Sequence, residues 1–330
     1  MPYNFIAMRK NILFALCMFA CSAVFASDWG FYAHKKINGL AIKNLPEGEL
    51  KEFFSQHTRY LVKESVAPDK RRDILKGEAQ KHYINVDAYP FAANYWDSIP
   101  HVWQKAVKRF SEDTLQKYGI LPWTIAITYH NLVQAFRQKD VERILFYAAD
   151  LGHYCGDLHV PLHLSKNHNG QLTGQNGVHA LWESVLVEKY YKTYTLAPES
   201  PKRVKNALTW AWERIPLGYA QIKPLLLAEQ KATDSVGMAS KYLAQTDTTH
   251  QHKRQRYKKY NPVFLALYHE NLQGMIPSQL EKAIAGLSSL WYSAYLEAGK
   301  PRLKILKSIS EPKEKETAEE HAEELEALDN

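Results

Sequence analysis

Apolar residues recur at the three-and-four spacing of α-helices between Trp29 and Lys307, and runs that alternate apolar and polar residues are scarce. That period is typical of helices with one buried face. We therefore predict an all-α fold with a single, mainly helical domain. The predicted helices cover roughly 30–43, 47–63, 100–118, 123–138, 140–159, 177–191, 201–230 and 276–298.

The helix predicted over 140–159 lacks a solvated face. Asp140 suits its N-cap, and Pro161 follows its end. One face carries the apolar residues Ile144, Ala148, Leu151, Cys155 and Leu158. The other face, where lysines are expected, carries Phe146, Ala149, Asp150, His153 and Asp157. Carboxylates and imidazoles that turn inward need compensation, and a bound metal ion supplies it.

Two histidine–carboxylate pairs stand four residues apart: His153 with Asp157, and His179 with Glu183. On a helix, each pair projects from adjacent turns and can converge on a cation. Either pair taken singly is more simply a hydrogen bond across one turn. Both pairs together, with His163 between them, give a density of nitrogen and carboxylate ligands that suits zinc.

The chain resembles a superfamily of zinc phosphoesterases in HYCGDLHVPLH, from His153 to His163, and in HALWE, from His179 to Glu183. These segments are similar to its HxxxDxxxxxH and HxxxD/E signature. Its members are the single-strand-specific zinc nucleases and the bacterial zinc-dependent phospholipases C. WGFYAH resembles the WGxxGH start of the nucleases, with Ala33 in place of glycine. APDKRR and KHYIN supply an aspartate and a histidine where the family has its early ligands.

This resemblance implies a helical fold of the same type and a cluster of three zinc ions. One ion would be held by Asp69, His82, His153 and Asp157. A second would be held by His163, His179 and Glu183. The third would use His34, a bridging Asp157, and the amino and carbonyl groups of Trp29. That third site departs from the family pattern, because cleavage after Ala26 would leave Ser27 and Asp28 ahead of the tryptophan.

The chemistry implied by the resemblance is hydrolysis of a phosphodiester by a zinc-bound hydroxide that Asp157 positions. The favoured substrate is single-stranded nucleic acid or a nucleotide. Arg71 and Arg72, with Lys70, are candidates to clamp phosphates. Tyr83 and Tyr154 are candidates to stack on bases, although a packing role is the simpler reading of each. Asn85 stands where the nucleases have a base-recognising aspartate.

Two alternatives remain. One alternative is a phospholipase C, because the phospholipases of the resembled superfamily have a glutamate at the position of Glu183 and a shorter spacing like that from His163 to His179. A non-catalytic protein stapled by zinc is the other alternative, but three protein ligands leave an open position that a purely structural site would close. His159 lies outside the matched positions and is expected to pack, and His168 is expected to be exposed.

The N-terminal segment predicts export, and the C-terminal segment predicts a disordered tail. Arg9 and Lys10 precede an apolar run, so we predict a signal peptide over 1–26, a phosphoesterase domain over 27–307 and an acidic, disordered tail over 308–330. Without the two ends, 38 basic and 26 acidic side chains remain, a net charge near +12 that suits phosphate-bearing partners. No later segment is apolar enough to span a membrane, and no protein partner is implied.

Cysteine usage limits the compartment chemistry. Cys17 and Cys21 lie in the predicted signal peptide, so a mature chain would keep Cys155 and could form no internal disulfide. The expected location is periplasmic or secreted. Lipidation at Cys21 is a less favoured alternative, because Met18 and Phe19 match the usual small-residue approach poorly.

Overall fold

The computed structural model describes residues 30–90, 95–243 and 259–306. The predicted signal peptide, Trp29 and the predicted tail over 308–330 lie outside the described residues. Helices account for the regular structure of the described part, where the one β feature is an isolated antiparallel bridge between Tyr242 and Tyr260. The predicted all-α fold class is thus confirmed.

Fifteen α-helical segments occur in the described residues. They are α1 Phe31–Asn44, α2 Glu49–Gln56, α3 Thr58–Lys63, α4 Ala67–Arg71, α5 Tyr95–Ser98, α6 Trp103–Phe110, α7 Glu112–Tyr118, α8 Leu121–Gln138, α9 Val141–Leu158, α10 Val178–Ala180, α11 Leu186–Tyr190, α12 Ala207–Tyr219, α13 Ile222–Val236, α14 Pro262–Asn271 and α15 Met275–Glu297. Short 3₁₀ turns lie at Glu64–Val66, Ala79–His82, Val86–Ala88, Pro161–Leu164, Tyr191–Thr193 and Met238–Ser240, and a π turn at Leu181–Val185 joins α10 to α11.

Helix α9 is the centre of the fold. The Asp140 side chain accepts a hydrogen bond from the backbone N–H of Arg143, as an N-cap should. The helix packs against α8, α15 and α1, and its apolar stripe is buried. Trp291 of α15 donates its indole N–H to the carbonyl of Ala148 at 3.1 Å, which fixes α15 across α9. Both faces of α9 are enclosed along most of its length, with Phe146 exposed near its start.

Several helix boundaries differ from the predicted ones. The predicted helix 47–63 is interrupted at His57, and the predicted helix 100–118 is interrupted at Ser111, whose φ of 68° no helix accommodates. The Ser111 hydroxyl then caps α7 by accepting the N–H of Thr114. Both breaks depend on local backbone geometry that hydrophobic spacing does not record.

The prediction of one helix over 201–230 is wrong. Residues 201–206 are not helical, and two of their backbone N–H groups donate to side chains of α15: Lys202 to Ser289 and Val204 to Ser293. Asn206 then caps α12 by accepting the N–H of Thr209. Helix α14 was not predicted.

No helix in the described parts of the chain is long and apolar enough to cross a bilayer.

Candidate metal centre

Eight of the nine residues predicted to bind metal lie in the described part of the chain, and the fold brings them together around α9. Their elements are α1 for His34, α4 for Asp69, the 3₁₀ turns at Ala79–His82 and Pro161–Leu164 for His82 and His163, α9 for His153 and Asp157, α10 for His179, and the π turn for Glu183. All but Asp69 are at least 95% buried. Trp29 is the ninth.

Four of these side chains enclose a point. Oδ2 of Asp157 lies 3.1 Å from Nδ1 of His82 and 3.3 Å from Nε2 of His153, and the two nitrogens are 3.0 Å apart. Oδ1 of Asp69 lies 3.5 Å from each of those nitrogens. A tetrahedral ion with ligand bonds of about 2.0–2.1 Å separates its ligand atoms by roughly 3.4 Å. This four-ligand group therefore has donor types and separations close to those of a zinc site, and Asp69 and His153 also lie within reach of His34.

A second group contains three ligands. Oε2 of Glu183 lies 3.1 Å from Nε2 of His179 and 3.6 Å from Nε2 of His163. Glu183 sits in the π turn, where the wider winding turns its carboxylate inward with His179, four residues earlier. Three converging protein ligands leave a coordination position for a small molecule, which is the arrangement of catalytic zinc sites.

Asp157 faces both sides of the cluster. Its Oδ2 belongs to the four-ligand group, while its Oδ1 lies 3.4 Å from Nε2 of His34. Neither oxygen of Asp157 and neither ring nitrogen of His34 makes a hydrogen bond of ordinary geometry with the described residues, although both side chains are fully buried. Burying such groups without compensation costs several kcal/mol, about the penalty known for buried ions. A cation between them supplies the compensation.

Backbone carbonyls orient two of the imidazoles. The Nδ1–H of His153 donates to the carbonyl of Ser65 at 2.8 Å, and the Nδ1–H of His163 donates to the carbonyl of His82 at 2.6 Å. A carbonyl only accepts, so the proton is on Nδ1 and the lone pair of Nε2 faces the cluster. Burial lowers the pKa of His153 to about 3 against the opposing effect of Asp157, which keeps the ring neutral and able to bind metal.

Two glycines of α9 make room for α1. A Cβ at Gly156 would lie 2.9 Å from Nδ1 and Cε1 of His34, and a Cβ at Gly152 would lie 2.1 Å from Oδ1 of Asn38. Any larger residue at position 156 would therefore displace a candidate ligand. Sequence reasoning missed this pair, whose available signal was two glycines four residues apart on the ligand helix.

Arg71, a predicted phosphate clamp, is engaged by the protein itself. Its guanidinium donates two hydrogen bonds to Asp150, at 3.0 and 2.6 Å, and lies 3.1 Å from a Glu78 carboxylate oxygen. Tyr154 donates to the same Glu78 oxygen and accepts from Arg71. Both carboxylates occupy the faces a phosphate would need, so this geometry favours a structural role: Arg71 fixes α4, and with it Asp69, to α9.

The other substrate candidates lie differently. Tyr154 is buried in the same network, which excludes it from stacking on a base. Tyr83 is half-buried, and burial raises the pKa of its phenol while the charge of nearby Arg72 opposes that shift. Asn85 is half-buried, with its backbone N–H on the carbonyl of Tyr118. Tyr83, Arg72 and Asn85 therefore stay candidates, close in sequence to Asp69 and His82.

The remaining predicted roles separate clearly. His168 is exposed, as expected, and His159 is buried, with its Nδ1–H on the carbonyl of Cys155. Burial raises the pKa of the Cys155 thiol to about 12, so the thiol stays protonated in the core. Neither His159 nor Cys155 belongs to the ligand groups.

The polar loop between His163 and His179 is held by the later half of the chain. Gln175 donates its amide to the buried carboxylate of Glu229 on α13 and to the carbonyl of Leu226. Glu229 also forms an ion pair with buried Lys241 and accepts a hydrogen bond from Thr233. The sequence after residue 190, which matched no motif, thus fixes the loop that joins two ligands.

No protein-family model matches the chain, and no curated protein matches it. The case for a metal centre in this protein therefore rests on the cluster residues themselves.

Proposed function

We propose that the protein is a member of the zinc phosphoesterase superfamily and an exported, zinc-dependent phosphodiesterase acting on single-stranded nucleic acid or nucleotides. One observation carries the proposal: three buried ligands, His163, His179 and Glu183, converge and leave a coordination position open, beside a second buried group of ligands around Asp157. A protein that only staples its fold with zinc has no use for the open position. Zinc bound in these groups would polarise a phosphoryl oxygen and lower the pKa of water.

The protein's own residues then have separable tasks. Asp157 would hold metal through Oδ2, which faces His82 and His153, and through Oδ1, which faces His34, and the burial of its carboxylate keeps bulk water out. His163, His179 and Glu183 present the open position. Lys70 and Arg72 lie one and three residues after Asp69, where positive charge would attract an anionic substrate.

Nucleic acid is the favoured substrate on two grounds. The segment over 27–310 carries a net charge near +12, which suits a polyanion. Tyr83, beside Arg72, would offer a ring next to a cation, the combination that binds an unpaired base and its phosphate. Glu183 favours the alternative, a phospholipase C, because phospholipases of the resembled superfamily use glutamate at this ligand position.

Hydrolysis of single-stranded DNA, single-stranded RNA and phosphatidylcholine vesicles by the zinc-loaded protein tests the proposal. We expect cleavage of a nucleic acid, its loss with chelator, and its return with added zinc. Cleavage of the lipid alone would transfer the protein to the phospholipase class. Failure to cleave all three, with zinc bound, would contradict this proposal.

The same assay on two histidine variants shows whether the cluster does the chemistry. His179→Ala should lose at least about a hundredfold in rate, because it opens the three-ligand group. His168→Ala removes an exposed imidazole whose ring centroid lies 6.3 Å from that of His179, so it is the matched control and should retain activity.

A further inference from the structure

A cavity of about 560 Å³, lined by both polar and apolar side chains, lies away from the candidate metal ligands. It is bounded by α12, α15, the C-terminal end of α9 and the non-helical segment before α12. None of the eight described candidate ligands lines it. Its wall combines the indole of Trp210 with Arg214, Gln279 and Lys282.

Arg214 is a restrained cation whose acidic neighbour, Glu213, lies at the limit of ion-pair distance. Its guanidinium lies 3.8 Å from the centre of the Trp210 ring, and one Nη donates to the Trp210 carbonyl at 2.6 Å. Glu213 approaches only to 3.9 Å and is 68% exposed. Burial lowers the pKa of Arg214, and the nearby Cys155 and Glu213 oppose that shift. Its remaining N–H groups are available at the edge of the stacked plane.

Gln279 is an independent sign of a ligand. Its side chain is 96% buried and lines the cavity, yet it forms no hydrogen bond with any described residue. Buried amides are nearly always hydrogen-bonded to protein, water or a ligand. The amide can donate two hydrogen bonds toward the same space that Arg214 faces.

The acidic residues of the cavity do not pair closely with Arg214 or Gln279. Glu199 is engaged with Lys202, and Glu281 accepts the backbone N–H of Ala197 at 2.9 Å. Glu213 is the loosely placed side chain described above. Lys282 adds a further exposed positive charge at the rim.

We propose that this cavity binds the oxyanion group of a small molecule, with Arg214 and Gln279 donating to the anion and Trp210 supporting the guanidinium. The planar fork of arginine suits the oxygens of phosphate or carboxylate, and the cavity has room for an organic body behind that group. The site is independent of the metal centre and of the proposed hydrolysis.

Equilibrium dialysis of inorganic phosphate against the zinc-loaded protein tests the site. Arg214→Gln should weaken the binding of one phosphate per chain at least about tenfold, because it removes a charged donor. Lys205→Gln, the same charge change at an exposed lysine outside the cavity, should leave binding unchanged. Equal binding by both variants, or equal loss in both, would overturn the proposal.

Two further arms make the result specific. If Arg214→Gln fails to fold, Gln279→Leu replaces it, with the same expected direction of change. Crystals soaked in sodium tungstate should show anomalous density between Arg214 and Gln279, and an empty cavity there would refute the assignment. Competition by acetate identifies a carboxylate site, and its absence a phosphate site.

Discussion

Asp157 places its Oδ1 3.4 Å from Nε2 of His34, while its other oxygen, Oδ2, lies 3.1 Å from His82 and 3.3 Å from His153. One fully buried carboxylate therefore faces two sets of imidazoles. A shared ligand of this type couples the occupancy of neighbouring metal positions, because its loss weakens each of them.

Replacing the shared carboxylate should remove more metal than replacing an unshared one. Asp157→Asn is expected to lose zinc from the group that it forms with His82 and His153 and from the position beside His34. Glu183→Gln should lose zinc from the three-ligand group alone. Elemental analysis of the purified variants measures the difference. Asp73→Asn, an exposed aspartate, is the control and should keep the full zinc content. Equal losses in the two ligand variants would show that Asp157 is not shared.

Replacing Arg71 should lower the stability of the fold, whereas replacing Arg72 should weaken substrate binding. Arg71→Met leaves Asp150 buried without its partner and is expected to cost about 3 kcal/mol of unfolding free energy. Arg72→Met should leave stability nearly unchanged and raise the KM for a phosphodiester. Urea unfolding and steady-state kinetics measure the two effects. Recovery of stability in Arg71→Met with Asp150→Leu would support this assignment, and a raised KM with normal stability in Arg71→Met would contradict it.

Gly156→Ala should weaken metal binding, because it displaces the His34 ring. The new methyl group would lie 2.9 Å from the His34 ring, so the ring must shift from its position beside Asp157. We expect reduced zinc content and reduced activity. Gly218→Ala is the comparison, since its Cβ would meet the Leu164 side chain at 2.6 Å, so it should lower the thermal midpoint yet retain zinc. Full zinc content in Gly156→Ala would show that the His34 position is not required.

Glu229 should control the loop between two ligands. Glu229→Gln leaves Lys241 buried without a carboxylate and weakens the tie to Gln175. Hydrogen exchange over 167–177 should then become faster, and unfolding free energy should fall by about 3 kcal/mol. Glu270→Gln, an exposed change on α14, should leave both unchanged. Unaltered exchange in Glu229→Gln would separate the loop from this network.

Removing metal should lower the stability of the fold. A ligand present at a hundredfold over its Kd stabilises the native state by about 2.7 kcal/mol, and the fully buried Asp157 carboxylate makes no hydrogen bond of ordinary geometry with the described residues. Chelator should therefore lower the thermal midpoint, and added zinc should restore it. A midpoint that does not respond to chelator would mean that the cluster binds no metal tightly.

The sequence predicted what local spacing can encode. His153 with Asp157, and His179 with Glu183, stand four residues apart and do face common points. The enclosure of both faces of α9 followed from the residue types along it. These features survive because helical periodicity alone determines which side chains share a face.

Contacts distant in sequence were not predictable in the same way. Arg71 donates hydrogen bonds to Asp150, 79 positions away, and the segment 201–206 donates backbone hydrogen bonds to serines of α15. Glu229 reaches the loop between the ligands across 54 positions. A single sequence shows that such residues can pair, but only the packing of the helices decides which pairs form.

The central claim, that the buried cluster holds zinc in both groups of ligands, is tested most directly by anomalous diffraction at the zinc absorption edge. Crystals of the zinc-loaded protein should show one peak among Asp69, His82, His153 and Asp157, and another among His163, His179 and Glu183. A further peak beside His34 would support the third predicted site. Absence of both principal peaks, with the cluster residues in place, would contradict the account.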